Sequence, residues 1–151
     1  MPKQDVFHYT VQARCGRADA VRLLADLNAQ ADLHPLIISV RPRPARPGAL
    51  HSYTISDRLA WGPFTFRTTY QADILKATED EVETVARQWP NTTVRNHARL
   101  SSEPDGVTRI DVQITLSAPG PLFAYAFRQA RTAHLALGSR IRATLDAGPT
   151  A

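Results

Sequence analysis

Residues 121–146 read PLFAYAFRQARTAHLALGSRIRATLD, and this stretch decides the fold. Its apolar residues recur at the spacing of one helical face. The face consists of Phe123, Phe127, Ala130, His134, Leu137, Ile141 and Leu145. Pro121 suits the first helical position, and Gly148 with Pro149 predicts an end just beyond the stretch. Such a helix is about 39 Å long, so the rest of the chain must supply an extended apolar surface for it.

The upstream sequence predicts that surface as a set of β-strands. Residues 6–14 alternate between apolar and polar side chains, which is typical of a half-buried strand. Residues 17–27 have helical spacing, and a short second helix is predicted just before Pro35. The other strands are predicted at residues 36–41, 49–59, 64–74, 80–89, 93–102 and 107–116.

The strand registers follow from keeping apolar side chains on one face of the sheet. In the hairpin around residues 60–63, this rule places Tyr53 opposite Tyr70. In the last three strands it places Val82 opposite Leu100 and Leu100 opposite Ile110. Both sets of pairs predict a sheet with one apolar, concave face.

These elements predict an α+β fold. A curved seven-stranded antiparallel sheet wraps around the long C-terminal helix, and two short helices follow the first strand. At 151 residues the chain is predicted to form one domain, residues 1–151. Small residues at inward positions, among them Ala86, Ala98, Ala126 and Ala130, favour a cavity between helix and sheet over a filled core.

Three stretches resemble the START-like (SRPBCC) helix-grip superfamily, and within it the polyketide cyclase/dehydratase-like and lipid-transport-like proteins. They are residues 18–27, ADAVRLLADL, residues 32–36, DLHPL, and the closing helix. The resemblance covers nearly the whole chain. It implies a ligand-binding domain whose cavity accepts a hydrophobic small molecule, but it does not imply one particular reaction.

The candidate ligand-binding residues are the polar and aromatic side chains expected to face this cavity, since an apolar pocket with a few polar groups suits a small molecule. They are Tyr53, Asp57, Phe66, Tyr70, Asn96, Phe123, Phe127 and His134.

Three of these residues are candidate catalytic groups. His134 lies in the middle of the apolar helical face, where an imidazole can exchange protons near neutral pH. Asp57, predicted opposite Phe66, gains a raised pKa if it is desolvated. Each has a structural alternative: His134 as a hydrogen-bonded core residue, Asp57 as a solvated rim residue or a cap on the turn at residues 61–62, and Tyr70 as a packing residue.

Three functional hypotheses remain open from the sequence. The first is a soluble protein that binds a polyketide, a lipid or an aromatic metabolite. The second is an aromatase/cyclase or dehydratase that uses His134 with Asp57 or Tyr70 as acid and base. The third is an interaction module whose cavity is filled by side chains.

Other classes of function are not expected. The net charge is +4, but the densest basic stretch, residues 41–46, has no aromatic residue for base stacking, so no nucleic-acid partner is predicted. No histidine or cysteine spacing suits a metal, Cys15 is the lone cysteine, and no cofactor is predicted. The sequence shows no signal peptide and no membrane-spanning stretch, which predicts a cytoplasmic protein without stable membrane insertion. A monomer or homodimer is expected.

Overall fold

A curved antiparallel sheet and one long helix make up most of the computed structural model, which describes residues 2–61 and 63–148, without the side chains of residues 60 and 61. The elements in chain order are β1 (Pro2–Arg14), α1 (Arg17–Leu24), α2 (Leu27–Gln30), β2 (Ile37–Arg43), β3 (His51–Trp61), β4 (Phe64–Ala77), β5 (Glu81–Gln88), β6 (Thr92–Glu103), β7 (Val107–Pro119) and α3 (Gly120–Asp146). The strands lie in the order β1-β7-β6-β5-β4-β3-β2. The predicted helix-grip α+β fold is therefore confirmed.

The long helix α3 packs its second half against β1 and β7. Leu137, Ile141 and Leu145 are buried there together with apolar residues of the two strands, such as Val11 and Ile110. This burial explains why the apolar spacing extends to the end of the helix. The helix ends at Asp146, as predicted, and Gly148 follows it at a φ of 80°; Pro149 lies outside the described residues.

The two short helices differ from their predicted positions. α1 ends at Leu24, and α2 begins at Leu27, where residues 17–27 were expected to form a single helix. The reason is Asp26, because its Oδ1 atom accepts the backbone N–H groups of Asn28 and Ala29 and thereby starts a new helix. The residues just before Pro35 form turns, so the helix predicted there is wrong.

The register predicted for the first hairpin is wrong by two residues. Tyr53 faces Ala72, not Tyr70, and Asp57 faces Thr68, not Phe66. The physical reason is a tighter connection, since pairing continues to Trp61 and Phe64 and leaves only two residues between the strands. Because side chains alternate with a period of two, the shift leaves every residue on its predicted face.

The last three strands give a mixed result. Val82 faces Ala98, so its predicted pairing with Leu100 is also wrong by two residues. Leu100 faces Ile110, as predicted. The turn between β6 and β7 holds Asp105 and Gly106 at positive φ, 66° and 74°, and this left-handed geometry fixes a tight connection with a defined register.

The loop between β2 and β3 is anchored on the convex side of the sheet. The backbone N–H of Arg46 donates to Ser52 Oγ at 2.9 Å, and the Arg46 guanidinium binds the buried carboxylate of Asp73. Arg87 Nη1 reaches the other carboxylate oxygen at 3.1 Å. Burial raises the pKa of Asp73, but hydrogen bonds from Ser52 and Arg46 outweigh this effect and lower it below its usual value.

None of the helices in the described part of the chain is both long and apolar enough to cross a membrane.

Candidate functional site

A cavity of about 680 Å³ lies between α3 and the concave face of the sheet. Its wall is mostly apolar and includes Leu24, Leu27, Ile55, Val82, Val112, Leu116 and Ile141. The space exists because small side chains stand where a filled core needs large ones, namely Ala72, Ala86, Ala98, Ala126, Ala130 and Ala133.

Five of the eight candidate ligand-binding residues line this cavity. They are Asp57, Phe66, Tyr70, Asn96 and His134. They come from β3, β4, β6 and α3, so only the folded chain brings them to one wall.

The other three candidates lie outside the cavity wall. Tyr53 is buried, and a backbone group of α2 at Leu27 is its hydrogen-bond partner. Phe123 stacks on Phe127, and Phe127 meets the edge of Phe7 on β1, with ring centroids 5.5 Å apart in both pairs. These aromatic rings therefore fix α3 to the sheet.

The face of α3 toward the cavity is consequently rotated from the predicted stripe. In the first half of the helix the cavity is lined by Leu122, Tyr125, Ala126, Gln129 and Ala130. The apolar stripe in the sequence includes both the residues that pack on β1 and those that face the cavity. Which of these residues pack on β1 and which face the cavity depends on where the strands lie relative to the helix.

His34 lines the cavity, although no pattern in the sequence indicates this role. Its ring stands at 85° to the ring of His134, with centroids 5.9 Å apart, and both side chains line the cavity. The backbone N–H of Leu36 donates to His34 Nδ1 at 3.2 Å, so the neutral ring carries its proton on Nε2. The only sequence signal was its position before Pro35, which indicated a turn.

Both histidines are uncharged at neutral pH. Burial lowers the pKa of His34 to about 4, and the nearby positive charge of Arg140 acts in the same direction. Burial lowers the pKa of His134 to about 3, assisted by His34. His134 is deeply enclosed, yet part of its surface remains accessible, so that accessible part faces the cavity. Its Nδ1 atom has no hydrogen-bond partner in the part of the chain that the structure describes.

Asp57 and Tyr70 form a second polar group on the wall. Burial raises the pKa of Asp57 to about 6, and a hydrogen bond with Tyr70 partly opposes this shift. Burial also raises the pKa of Tyr70, with the Asp57 charge as a further cause. Asp57 is 8% exposed, so it is not a solvated rim residue. The turn that it was expected to cap includes residue 62, which lies outside the described residues.

Two further atoms near this group lack partners. Asp57 Oδ1 and Thr68 Oγ1 are buried without a hydrogen bond to any described residue, and the two residues face each other across β3 and β4. An unpaired buried polar atom costs about 1–3 kcal/mol, so a ligand that supplies the missing partner recovers part of this free energy.

No group of three or more histidine, cysteine, aspartate or glutamate side chains is arranged for a metal ion within the described residues. The polar groups on the cavity wall include two neutral imidazoles, one carboxyl group of raised pKa, and amide and hydroxyl groups.

Five of the residues that line the cavity stand at the end of the sheet where β3, β5 and β7 finish, namely Phe66, Trp89, Pro90, Leu122 and Tyr125. We infer that the cavity opens at this end, because two of them are exposed to solvent. Trp89 is 87% exposed and Phe66 is 39% exposed. The opening, named the mouth below, is thus bordered by apolar side chains in contact with solvent.

No protein-family model matches this sequence, and no curated protein is significantly similar to it. Solved structures do match its fold. The di-domain aromatase/cyclase StfQ from the steffimycin biosynthetic pathway aligns with a TM-score of 0.75 at 11% identity, over 95% of this chain and 51% of that chain. This chain therefore spans about half of the di-domain protein.

Two further structures match over nearly their full length. The Zhui aromatase/cyclase from Streptomyces sp. R1128 aligns with a TM-score of 0.64 at 14% identity, over 98% of this chain and 100% of that one. A START superfamily protein from Mycobacterium smegmatis aligns with a TM-score of 0.64 at 13% identity, over 90% and 96%. The chain therefore has the helix-grip fold of these solved structures, which is the fold that the resemblance in its sequence predicted.

Proposed function

We propose that this protein is a single ligand-binding domain that holds a hydrophobic small molecule with a few polar groups, such as a polyketide, a lipid or an aromatic metabolite. The observation that supports the proposal is the cavity of about 680 Å³ between α3 and the sheet. Small-molecule sites commonly have about 300–1,000 Å³ of mostly apolar space with a few polar groups. The cavity has both properties.

The polar groups give the site its preferred ligand chemistry. His34 offers an N–H donor at Nε2, and the unpaired Nδ1 of His134 lies on the neighbouring ring. Asp57, Tyr70 and Asn96 lie on the sheet side of the same space. Because both imidazoles are neutral, we expect an uncharged oxygen-containing ligand to bind better than a carboxylate of the same size.

Native mass spectrometry of the protein purified from its own host tests this proposal directly. We expect a mass above that of the chain, and release of one small hydrophobic molecule on denaturation. If no molecule co-purifies and no hydrophobic fluorescent probe binds to the protein, the proposal is wrong. Ala130→Phe, which places a large ring in the cavity, should reduce binding, whereas Ala136→Phe on the same helix is the control outside the cavity wall.

A second candidate function is an enzyme of the aromatase/cyclase or dehydratase kind. The observation that favours it is Asp57, whose pKa of about 6 allows proton donation and acceptance near neutral pH. Asp57 acts here with Tyr70 as its hydrogen-bond partner. His134 then serves as a neutral base or a hydrogen-bond acceptor, because its pKa of about 3 leaves no protonated form to act as an acid.

Turnover and binding are separated by two conservative substitutions. In an enzyme, Asp57→Asn should abolish conversion of a co-purified ligand or its synthetic analogue while its affinity changes little. If the protein only binds its ligand, the unchanged protein forms no product. Asp57→Asn and His134→Phe then also form none, and the substitutions cause no loss of conversion. Product analysis by liquid chromatography with mass spectrometry gives the answer.

A cytoplasmic location and a monomeric or homodimeric state remain predictions. Fractionation of the host cell tests the first, and analytical ultracentrifugation tests the second.

A further inference from the structure

The hairpin of β3 and β4 projects beyond the rest of the sheet at the mouth. β2 pairs with β3 only as far as Asp57, and β5 pairs with β4 only from Gln71 onward. The backbone N–H of Arg58 still donates to the Leu36 carbonyl at 2.8 Å, and beyond it residues 59–61 pair with residues 64–66 as a two-stranded arm. At about 3.4 Å per residue, this arm extends roughly 10 Å past its last three-strand contact. An isolated two-stranded ribbon is marginally stable in water.

The arm and the neighbouring turn expose large aromatic rings. Phe64 is 72% exposed on the arm, and Trp89, which directly follows β5, is 87% exposed. Phe66 is 39% exposed between them. Most large aromatic side chains are buried in folded proteins, so three exposed rings at one end of the sheet indicate a contact surface.

The same end of the molecule carries unpaired positive charge. Arg58 and Arg67 stand directly opposite each other at the base of the arm, where like charges destabilise the strand pair. Arg128 and Arg131 are exposed on the first half of α3. None of these four arginines forms an ion pair with any residue in the described part of the chain.

Acidic residues are concentrated at the opposite end. The β4–β5 connection contains Glu79, Asp80 and Glu81, the β6–β7 turn contains Glu103 and Asp105, and α3 ends at Asp146. By contrast, residues 58–72, 84–102 and 112–145 contain no aspartate or glutamate. The mouth half of the sheet does contain the exposed Asp5, which pairs with Leu116 on the edge strand β1, and the buried Asp57. The antiparallel topology therefore places most of these acidic turns at one end of the sheet. The mouth end is left with an excess of positive charge, although the whole chain carries only +4.

We propose that the mouth end is a docking surface for an anionic lipid membrane. Trp and Phe side chains favour the boundary between headgroups and acyl chains, and arginines nearby pair with lipid phosphates. An acidic protein partner would also meet the positive charge. The lipid surface is favoured because the exposed rings stand on a projecting arm and a separate turn, where they can insert individually, and do not form one flat patch.

Docking in this orientation places the cavity opening against the membrane, because Phe66 and Trp89 line the opening as well as the surface. It is a peripheral contact, made by side chains at loop tips, and it requires no membrane-spanning segment. The surface does not depend on which ligand the cavity holds, and it can be tested on the protein without ligand.

Binding to lipid vesicles tests the proposal. The intact protein is expected to bind vesicles of equal parts phosphatidylcholine and phosphatidylglycerol, not pure phosphatidylcholine, and to be released by high salt. Each basic residue near an anionic surface strengthens binding by about fivefold, so Arg58→Ser with Arg67→Ser should weaken binding about 25-fold. In a Trp61→Phe variant, where Trp89 is the one remaining tryptophan, its fluorescence should be quenched by brominated acyl chains.

The matched control is the pair Arg14→Ser and Arg22→Ser, which removes two exposed arginines at the other end of the sheet. Circular dichroism checks that both double variants are folded. Equal binding to neutral and anionic vesicles, equal losses in the two double variants, or no quenching of Trp89 would overturn the proposal. Absence of vesicle binding together with capture of an acidic protein would also overturn it and assign the surface to that partner.

Discussion

At the scale of single residues, Gly138 shows how closely α3 approaches β1. A Cβ atom built at this position lies 2.9 Å from Cε2 of Tyr9, so any larger side chain must displace the tyrosine ring. Tyr9 also lines the cavity. The absence of a side chain at residue 138 therefore keeps the Tyr9 ring under the helix and keeps the cavity open beside it.

Gly138→Ala is expected to move the Tyr9 ring toward the cavity. Overpacking costs about 1–3 kcal/mol, and the better helix propensity of alanine recovers about 1 kcal/mol. We therefore expect a loss of about 1 kcal/mol in the free energy of unfolding, together with weaker binding of a hydrophobic fluorescent probe. Ser139→Ala, on the exposed side of the same turn, should leave probe binding unchanged.

Asp57 provides a second prediction at this scale, because its pKa is raised from 3.8 to about 6. A raised carboxyl pKa means that the folded state binds a proton more tightly than the unfolded state, so stability falls as the pH rises from about 4 through 6. Asp57→Asn should remove this loss. The variant is expected to gain about 2.4 kcal/mol relative to the unchanged protein between pH 4 and pH 7.5.

Urea unfolding at the two pH values measures this difference. Asp105→Asn is the matched control, since Asp105 is an exposed turn residue and asparagine also tolerates its positive φ. A pH-independent difference between Asp57→Asn and the unchanged protein would contradict the raised pKa.

At the scale of elements, the short helix α2 depends on one side chain. Asp26 accepts the backbone N–H groups of Asn28 and Ala29, at 3.0 and 3.2 Å. Gln30, at the other end, donates through Nε2 to the carbonyl oxygens of Leu23 and Leu24 and so completes the end of α1. These hydrogen bonds position Leu27 and Gln30, which line the cavity.

Asp26→Ala should therefore cost about 1 kcal/mol of unfolding free energy, the usual effect of removing a helix cap. Asp26→Asn should restore most of it, because the amide oxygen accepts the same N–H groups. Thermal unfolding of the three proteins tests this expectation. Equal stability of the alanine and asparagine variants would show that Asp26 does not act as a cap.

At the scale of the whole molecule, the two cavity histidines limit stability in acid. Their folded-state pKa values of about 4 and about 3 lie below the ordinary value of 6.5. The unfolded state therefore binds more protons below pH 6.5, and stability falls as the pH falls from 6.5 toward 4. Protonation of Asp57 stabilises the folded state over the same pH range. One carboxyl group, however, offsets the loss of stability from only one of the two histidines.

His134→Phe should reduce the loss of stability in acid. Each unit of pKa shift corresponds to about 1.4 kcal/mol, so removal of this histidine should spare several kcal/mol between pH 6.5 and pH 4. His8→Gln, a change at an exposed histidine of β1, should retain the full acid dependence. The free energy of unfolding, measured in urea at several pH values, distinguishes the variants, and parallel curves for all three would exclude a role for His134.

Much of this fold follows from local patterns in the sequence. The long helix begins one residue before its predicted start, and the strands carry their side chains on the predicted faces. The predicted faces are correct despite two register errors, because a shift of two residues preserves the alternation of side chains. The registers themselves were not predictable, since they depend on the length of the turns at residues 60–63 and 89–92.

The sequence by itself determined the sheet, the helix and the apolar face of each, because these depend on periodicity along a single element. Only the tertiary structure decided which inward residues line the cavity. It turned Phe123 and Phe127 toward β1, buried Asp57 and brought His34 to within 5.9 Å of His134, a residue one hundred positions away. Such contacts depend on how elements pack, and packing joins residues that no local period relates.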